Sequence, residues 1–213
     1  MEWLQNIQNI VFDLGGVVIN LDRSKAVDAL SALGIEGVNE LLGQYVQKEP
    51  FLGLETGRLT AGEFFDLLRK QSNPNTTDTQ ITDAFNQFLV SLPVERLERL
   101  RVLRMAGYRV FALSNTNPVM YNSWISNAFT QEGGKINDYF DGIVTSFQEF
   151  TCKPDKSIFE TVLRRYGLNG GETLMLDDSD ANCKAAAEAG MNALRIGNTE
   201  QDDMMAVTSL LLS

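Results

Sequence analysis

Histidine is absent from the 213 residues. Its absence excludes Ser-His-Asp triads, Cys-His dyads, histidine-ligated zinc and phosphohistidine chemistry. Any acid, base or nucleophile must be a carboxylate, lysine, tyrosine, cysteine or serine. Cysteine is scarce: Cys152 and Cys183 are too few for a disulfide framework or a four-cysteine zinc site and read as reduced, partly buried thiols. No run approaches the ~18 apolar residues of a membrane span. Basic residues are outnumbered, with 18 Lys and Arg against 28 Asp and Glu and a net charge of −10. An acidic chain without a basic run suits neither nucleic acid nor an anionic membrane, so neither is expected as a partner. The opening Met1-Glu2-Trp3-Leu4-Gln5-Asn6 has no basic region followed by an apolar one. No signal peptide is expected, and the expected location is the cytoplasm.

What is present is an ordinary globular composition, 44% hydrophobic and 22% charged. The length suits one domain with a large insertion or two small ones. Five short apolar runs have strand length: Ile10-Val11-Phe12, Val110 to Leu113, Ile143-Val144-Thr145, Thr173 to Leu176 and Ala193 to Ile196. Helical patterns lie between them. Val94, Leu97, Leu100, Leu103 and Met105 recur near helical spacing before Gly107. Ile158, Phe159, Val162 and Leu163 share a face before Gly167, and an alanine-rich stretch from Asp180 stops at Gly190. This alternation predicts an α/β fold with a parallel sheet covered on both faces.

The first connection is too long. Residues 13–109 separate the first two strands, where a crossover needs about a dozen residues or more. Within that stretch lie four apolar groups at helical spacing: Ala26, Leu30 and Leu33; Leu41, Leu42, Tyr45 and Val46; Phe64, Phe65, Leu67 and Leu68; and Ile81, Phe85, Phe88 and Leu89. Thr60 and Glu63 form a capping box, and Ser72 to Asp78 is a polar loop. The expected organisation is a core of residues 1–22 and 93–213 with a helical insertion over 23–92.

In open parallel sheets the working residues sit at the carboxyl ends of the strands. Here those ends carry Asp13, Ser114 with Asn115, and Asp177 with Asp178, while Lys153 follows the third strand by a few residues. Taken singly, each has an ordinary reading: a turn aspartate, a helix cap, a solvated lysine. Together they form a reactive set. Three carboxylates in one place repel unless a hard cation such as Mg²⁺ joins them. Asp13 can then attack phosphorus, Ser114 can donate to a phosphoryl oxygen, and Lys153 can neutralise charge and hold Asp13. Gly15 and Gly16 let the backbone approach a phosphate closely. Asn182 can support the metal ligands from behind. In the insertion, Glu55 and Arg58 are weaker candidates for touching a substrate, and Phe51, Phe64 and Phe65 read as packing residues.

Four segments carry a resemblance: Phe12-Asp13-Leu14-Gly15-Gly16, Leu113-Ser114-Asn115-Thr116-Asn117, Lys153-Pro154-Asp155 and Leu176-Asp177-Asp178-Ser179-Asp180-Ala181-Asn182. They resemble the four ordered motifs of the haloacid dehalogenase-like hydrolase superfamily, in its helical-cap branch with α-glucose-1-phosphate phosphatase-like enzymes. The resemblance spans Ile10 to about Ile196. It implies a Rossmann-like doubly wound parallel sheet core with an inserted α-helical cap, and Mg²⁺-dependent hydrolysis of a small phosphorylated metabolite, such as a sugar phosphate, through an aspartyl-phosphate. It also implies roles. Asp13 is the nucleophile, and Ser114, Asn115, Lys153, Gly15 and Gly16 hold the phosphoryl group. Asp13, the Gly15 carbonyl, Asp178 and, directly or through water, Asp177 hold the metal. Related phosphatases carry an acid–base aspartate two residues after the nucleophile; here that position is Gly15. Phosphates with good leaving groups are therefore the expected substrates. The rival readings are a metal-independent dehalogenase, for which the Asp177–Asp178 pair is hard to account for, and a phosphate- or partner-binding protein with weak turnover.

Overall fold

The computed structural model describes residues 2–197 and 203–213. Met1, and residues 198–202 within the expected 93–213 segment, lie outside the described residues. The central sheet contains β1 (Asn9–Phe12), β4 (Arg109–Ser114), β5 (Gly142–Thr145), β6 (Thr173–Asp177) and β7 (Asn192–Arg195), in the order β5-β4-β1-β6-β7. Every pairing is parallel. These are the five runs read as strands. β2 (Asn20–Leu21) and β3 (Leu89–Ser91) form a separate antiparallel ribbon. They are too short to show a period of two, and the sequence reading does not contain them.

Alternation along the strands sorts their side chains onto two faces. Ile10, Phe12, Val110, Ala112, Leu174 and Leu176 enter the larger apolar cluster, beneath α6 (Val94–Met105) and α12 (Met204–Leu211). Val11, Phe111, Leu113, Val144 and Met175 point the other way. They meet Ile158, Phe159 and Val162 of α10 (Lys156–Tyr166) and Ala185 and Ala186 of α11 (Asp180–Glu188). The two-sided covering is thus as expected. On α6, Leu97, Leu100 and Leu103 are buried, whereas Met105, read as part of the same stripe, is exposed. It is the last residue of the helix, two before the turn at Gly107 (φ +98°).

Between β2 and β3 run α1 (Arg23–Ala32), α2 (Val38–Leu41), α3 (Phe51–Glu55), α4 (Ala61–Arg69) and α5 (Asp78–Asn86). The capping box of Thr60 and Glu63 starts α4, and a second, Thr77 with Gln80, starts α5. Phe51, Phe64 and Phe85 form an aromatic cluster with centroids 5.2–5.7 Å apart. The β2–β3 ribbon closes the base of this segment, and Asp22 N–H donates to the Phe88 carbonyl. Two expectations fail: Phe88 and Leu89 lie beyond α5, which ends at Asn86 before Leu89 pairs in β3, and Tyr45 and Val46 are not on a helix either. α2 stops at Leu41, and the chain turns at Gly43, where a Cβ would fall 2.0 Å from the Val46 carbonyl oxygen. Both side chains are exposed.

Cys152 and Cys183 are unpaired and half-buried, and burial pushes their thiols up to about 11 and about 12. No helix among the described residues is long and apolar enough to cross a membrane.

Phe111 is fully buried, with its ring 4.8 Å from that of Tyr166. Phe111→Ala is expected to destabilise the fold by about 3–5 kcal/mol, read as a fall in the urea midpoint at unchanged m-value.

Candidate active site

The chain runs outward from β1 to β4 and β5 on one side and returns to β6 and β7 on the other. The strand order therefore reverses beside β1, and a crevice opens at the carboxyl ends of β4, β1 and β6. Each strand delivers a polar residue to that crevice. Asp13 follows Phe12, Ser114 ends β4, and Asp177 ends β6 with Asp178 next. Lys153 arrives from the loop between α9 (Ser146–Glu149) and α10. Asp13, Ser114, Lys153 and Asp178 share a cavity with Glu55, Gln47 and Tyr45 of the inserted segment, opposite the sheet, while Asp177 is buried behind them.

Lys153 is the centre of this arrangement. Its ammonium is buried, 2.9 Å from Asp13 Oδ2 and 2.7 Å from Asp177 Oδ2. Burial alone would lower its pKa, but Asp13 and then Asp177 outweigh that effect and hold it above the ordinary range. Its backbone is clamped by Asn115. The Lys153 N–H donates to Asn115 Oδ1 at 2.8 Å, and Asn115 Nδ2 donates to the Lys153 carbonyl at 2.9 Å. Asn115, expected to bind phosphate, thus directs most of its amide to placing the lysine.

The three carboxylates differ. Asp177 is fully engaged: Oδ2 accepts from Lys153, and Oδ1 accepts from Ser179 N–H and Asn182 Nδ2, each at 2.9 Å. Asp13 accepts from Lys153 through Oδ2 and from Leu14 N–H through Oδ1 at 2.7 Å. No other residue among those described donates a hydrogen bond to the Asp178 carboxylate, and Arg195 reaches only the Asp178 backbone carbonyl. Burial pushes Asp13 up to about 8; Lys153 opposes the rise, while Asp177 and Asp178 add to it. Asp178 is pushed up to about 6 by burial and by Asp177. Oxygens of Asp13, Asp177 and Asp178 lie within 4.8 Å of one another. Three carboxylates facing one ammonium leave uncompensated negative charge, and hard oxygen donors at this spacing fit a divalent cation such as Mg²⁺.

The two glycines play unequal parts. Gly15 lines the cavity, and its φ lies outside the left-handed range; a Cβ there would press on the movable Leu21 side chain at 3.0 Å. Gly16 is the constrained position, at φ +75°, where a Cβ would fall 2.3 Å from Asp178 Oδ2. Its N–H donates to the Ile19 carbonyl at 2.9 Å. The expectation that Gly16 offers its amide to phosphate is therefore corrected: the residue closes its own loop and makes room for Asp178. Ser114 is buried in the cavity wall, and among the described residues its hydroxyl makes only a long 3.5 Å contact with the Asn115 carbonyl.

The sequence reading did not contain Gln47, and it gave Thr116 no role of its own. Both line the cavity, and Gln47 Oε1 and Thr116 Oγ1 are buried with no hydrogen-bond partner among the described residues. Gln47 lies in no recognisable pattern, whereas Thr116 sits in the second motif, directly after Ser114 and Asn115. Arg58 points away and pairs with Glu49 at 2.6 Å, whereas Glu55 is buried at the cavity wall. Between α7 (Pro118–Met120) and α8 (Ser126–Ala128), Tyr121 and Trp124 pack against the larger apolar cluster.

The family model for haloacid dehalogenase-like hydrolases matches residues 7–190. A D-ribitol-5-phosphate phosphatase of Bacteroides thetaiotaomicron is 34% identical over 192 residues, covering 90% of this chain and 93% of that protein. A solved structure of a HAD family enzyme from the same organism, in complex with magnesium and inorganic phosphate, superimposes with a TM-score of 0.84. It is 36% identical, with 91% of this chain and 96% of that one covered. An L-2-haloacid dehalogenase from Xanthobacter autotrophicus shares the fold at TM-score 0.61 and 19% identity, over 97% of this chain and 82% of its own.

The charge imbalance has a measurable consequence. Asp178→Asn removes a desolvated like charge, so the metal-free protein is expected to gain roughly 2–4 °C in Tm, the response of a chain this size to about 1 kcal/mol. Mg²⁺ is expected to raise the Tm of the unsubstituted protein but not that of the variant, as read by thermal unfolding with Mg²⁺ and with chelator.

Proposed function

The chain belongs to the haloacid dehalogenase-like hydrolase family, and from that membership we propose that it is a Mg²⁺-dependent phosphomonoesterase of small metabolites, with Asp13 as the nucleophile. The observation that carries this reading is the buried ammonium of Lys153 between Asp13 and Asp177, with the Asp178 carboxylate beside them. The relative named for D-ribitol 5-phosphate and the magnesium–phosphate complex support it. Residues 1–22 and 93–213 serve as the catalytic core, and 23–92 as a cap over the substrate. The proposal places the enzyme in the cytoplasm, where charged phosphometabolites are retained.

Asp13 and Asp178 hold the cation in this reading, with the Gly15 carbonyl beside them. Asp177, engaged on both oxygens, positions Lys153 instead of binding metal directly. When bound, the cation supplies positive charge that favours ionised Asp13 and offsets charge on the phosphate. Asp13 attacks phosphorus, and its rotation is limited by the Leu14 N–H and Lys153. Lys153 and the Ser114 hydroxyl face the equatorial oxygens. Water then releases phosphate from Asp13.

The substrate class follows from the cavity wall. Gln47 Oε1 and Thr116 Oγ1 lack partners among the described residues, and buried polar atoms require them. Hydroxyls of a sugar or polyol phosphate would supply them. Ribitol 5-phosphate is the ester of a primary alcohol; a substrate of that class has a poor leaving group, contrary to the preference expected from Gly15 alone.

The test is a panel of phosphorylated metabolites with Mg²⁺ and with excess chelator. Hydrolysis of sugar or polyol phosphates is expected only with metal, and Asp13→Asn is expected to lower it by orders of magnitude without unfolding the protein. Undiminished turnover in chelator, or in Asp13→Asn, would contradict the proposal.

A further inference from the structure

Gly15 leaves the core without the residue that would protonate a departing alkoxide, and no histidine is available. The inserted segment carries a carboxyl in the right place. Glu55 ends α3 and lines the same cavity as Asp13, Ser114 and Lys153. It is only 8% exposed, and no hydrogen bond or ion pair engages its carboxyl among the described residues. The nearest arginine in sequence, Arg58, is bound to Glu49. A buried carboxyl with no partner, facing a reaction cavity, is an expensive arrangement to maintain for packing alone.

Its position is fixed from two sides. Phe51 and Leu54, earlier on α3, are buried in the apolar cluster of the inserted segment. Just beyond Glu55 the chain turns at Gly57 (φ +68°), where a Cβ would meet the Phe147 carbonyl of α9 at 2.2 Å. The end of α3 is therefore seated on the core close to Lys153. In-line displacement adds direction: Asp13 approaches phosphorus from the sheet, so the leaving oxygen departs away from it, toward the inserted segment.

Building on the phosphatase reading above, we propose that Glu55 is the general acid of the reaction, supplied by the inserted segment in place of an aspartate at position 15. An Asp13 carboxylate oxygen forms a bond to phosphorus, and the ester P–O bond breaks with its electron pair on the leaving oxygen. That oxygen takes the proton from the Glu55 carboxyl, giving the free alcohol, phosphorylated Asp13 and a Glu55 carboxylate. When water attacks the phosphorylated Asp13, its proton passes to Glu55 and the Asp13 carboxylate is released. Burial pushes the Glu55 carboxyl up to about 7, against the opposing pull of Lys153, so the group both carries and accepts a proton near neutrality. Glu55 therefore belongs to the catalytic residues, a role the sequence reading did not assign it.

The experiment compares the unsubstituted enzyme with Glu55→Gln on aryl and simple alkyl phosphates that carry no hydroxyl, with Mg²⁺. The readout is kcat/KM against leaving-group pKa; kcat/KM reports the phosphorylation step, not the later attack of water. The unsubstituted enzyme is expected to show a shallow dependence. Glu55→Gln is expected to lose about 10²–10⁴-fold on alkyl phosphates and less than about tenfold on 4-nitrophenyl phosphate, whose turnover also shows that the variant is folded. Equal losses across the series, or no loss, would overturn the assignment while leaving the phosphatase reading intact. If Glu55→Gln does not fold, the slope of the unsubstituted enzyme decides, and a steep one overturns the assignment. If the unsubstituted enzyme hydrolyses none of these esters, nor any member of the metabolite panel, the phosphatase reading fails and this assignment fails with it.

Discussion

The buried Lys153 ammonium is the constraint on which the site depends. Taking one ammonium and two carboxylates out of water is costly, and removing one member of such a group typically costs about 3–5 kcal/mol because the others are left unpaired. The protein meets this demand with partners from every neighbouring element. Asn115 after β4 clamps the lysine backbone, Ser179 and Asn182 at the start of α11 fix the Asp177 carboxylate, and Leu14 N–H fixes Asp13. The parallel sheet brings these groups together, because the end of each strand lies beside its neighbour's end. Chain segments far apart in sequence thus converge on one charge.

The site is nevertheless left unbalanced. Lys153 neutralises Asp13 and Asp177 together only in part, and Asp178 stands beside them with no other described residue donating to its carboxylate. Gly16 preserves this arrangement, since any side chain there would displace Asp178. A well-paired network would be inert. The residual negative charge creates affinity for a cation, and the cation with Lys153 in turn creates affinity for phosphate. The inserted helices complete the chamber from the other side, with apolar packing around Phe51, Phe64 and Phe85 and polar atoms at Gln47 and Glu55 facing inward.

Much of this was legible in the sequence. The five strands announced themselves as short apolar runs, and the polar residue at each carboxyl end marked the crevice. Helix ends were written in Gly107, Gly167 and Gly190 and in the Thr60–Glu63 capping box. What escaped was information carried by contacts between distant segments. β2 and β3 are two and three residues long and exist only because they pair with each other. The stretch after Leu41 kept a helical pattern that a close turn at Gly43 overrides. Asp177 and Asp178 look equivalent as a pair, and only their partners separate them. Glu55 and Arg58 were indistinguishable as polar residues of the insertion until the fold placed one inward at the end of α3 and paired the other with Glu49.

The central claim is that the ammonium-clamped Asp13 is the group that receives phosphate. The most direct measurement is mass spectrometry of enzyme acid-quenched during turnover of a phosphate ester with Mg²⁺. The account predicts one added phosphoryl group on the peptide containing Asp13, lost on treatment with hydroxylamine as an acyl phosphate would be. A phosphoryl group on any other residue, or rapid turnover in which Asp13→Asn matches the unsubstituted enzyme and no peptide is modified, would contradict it.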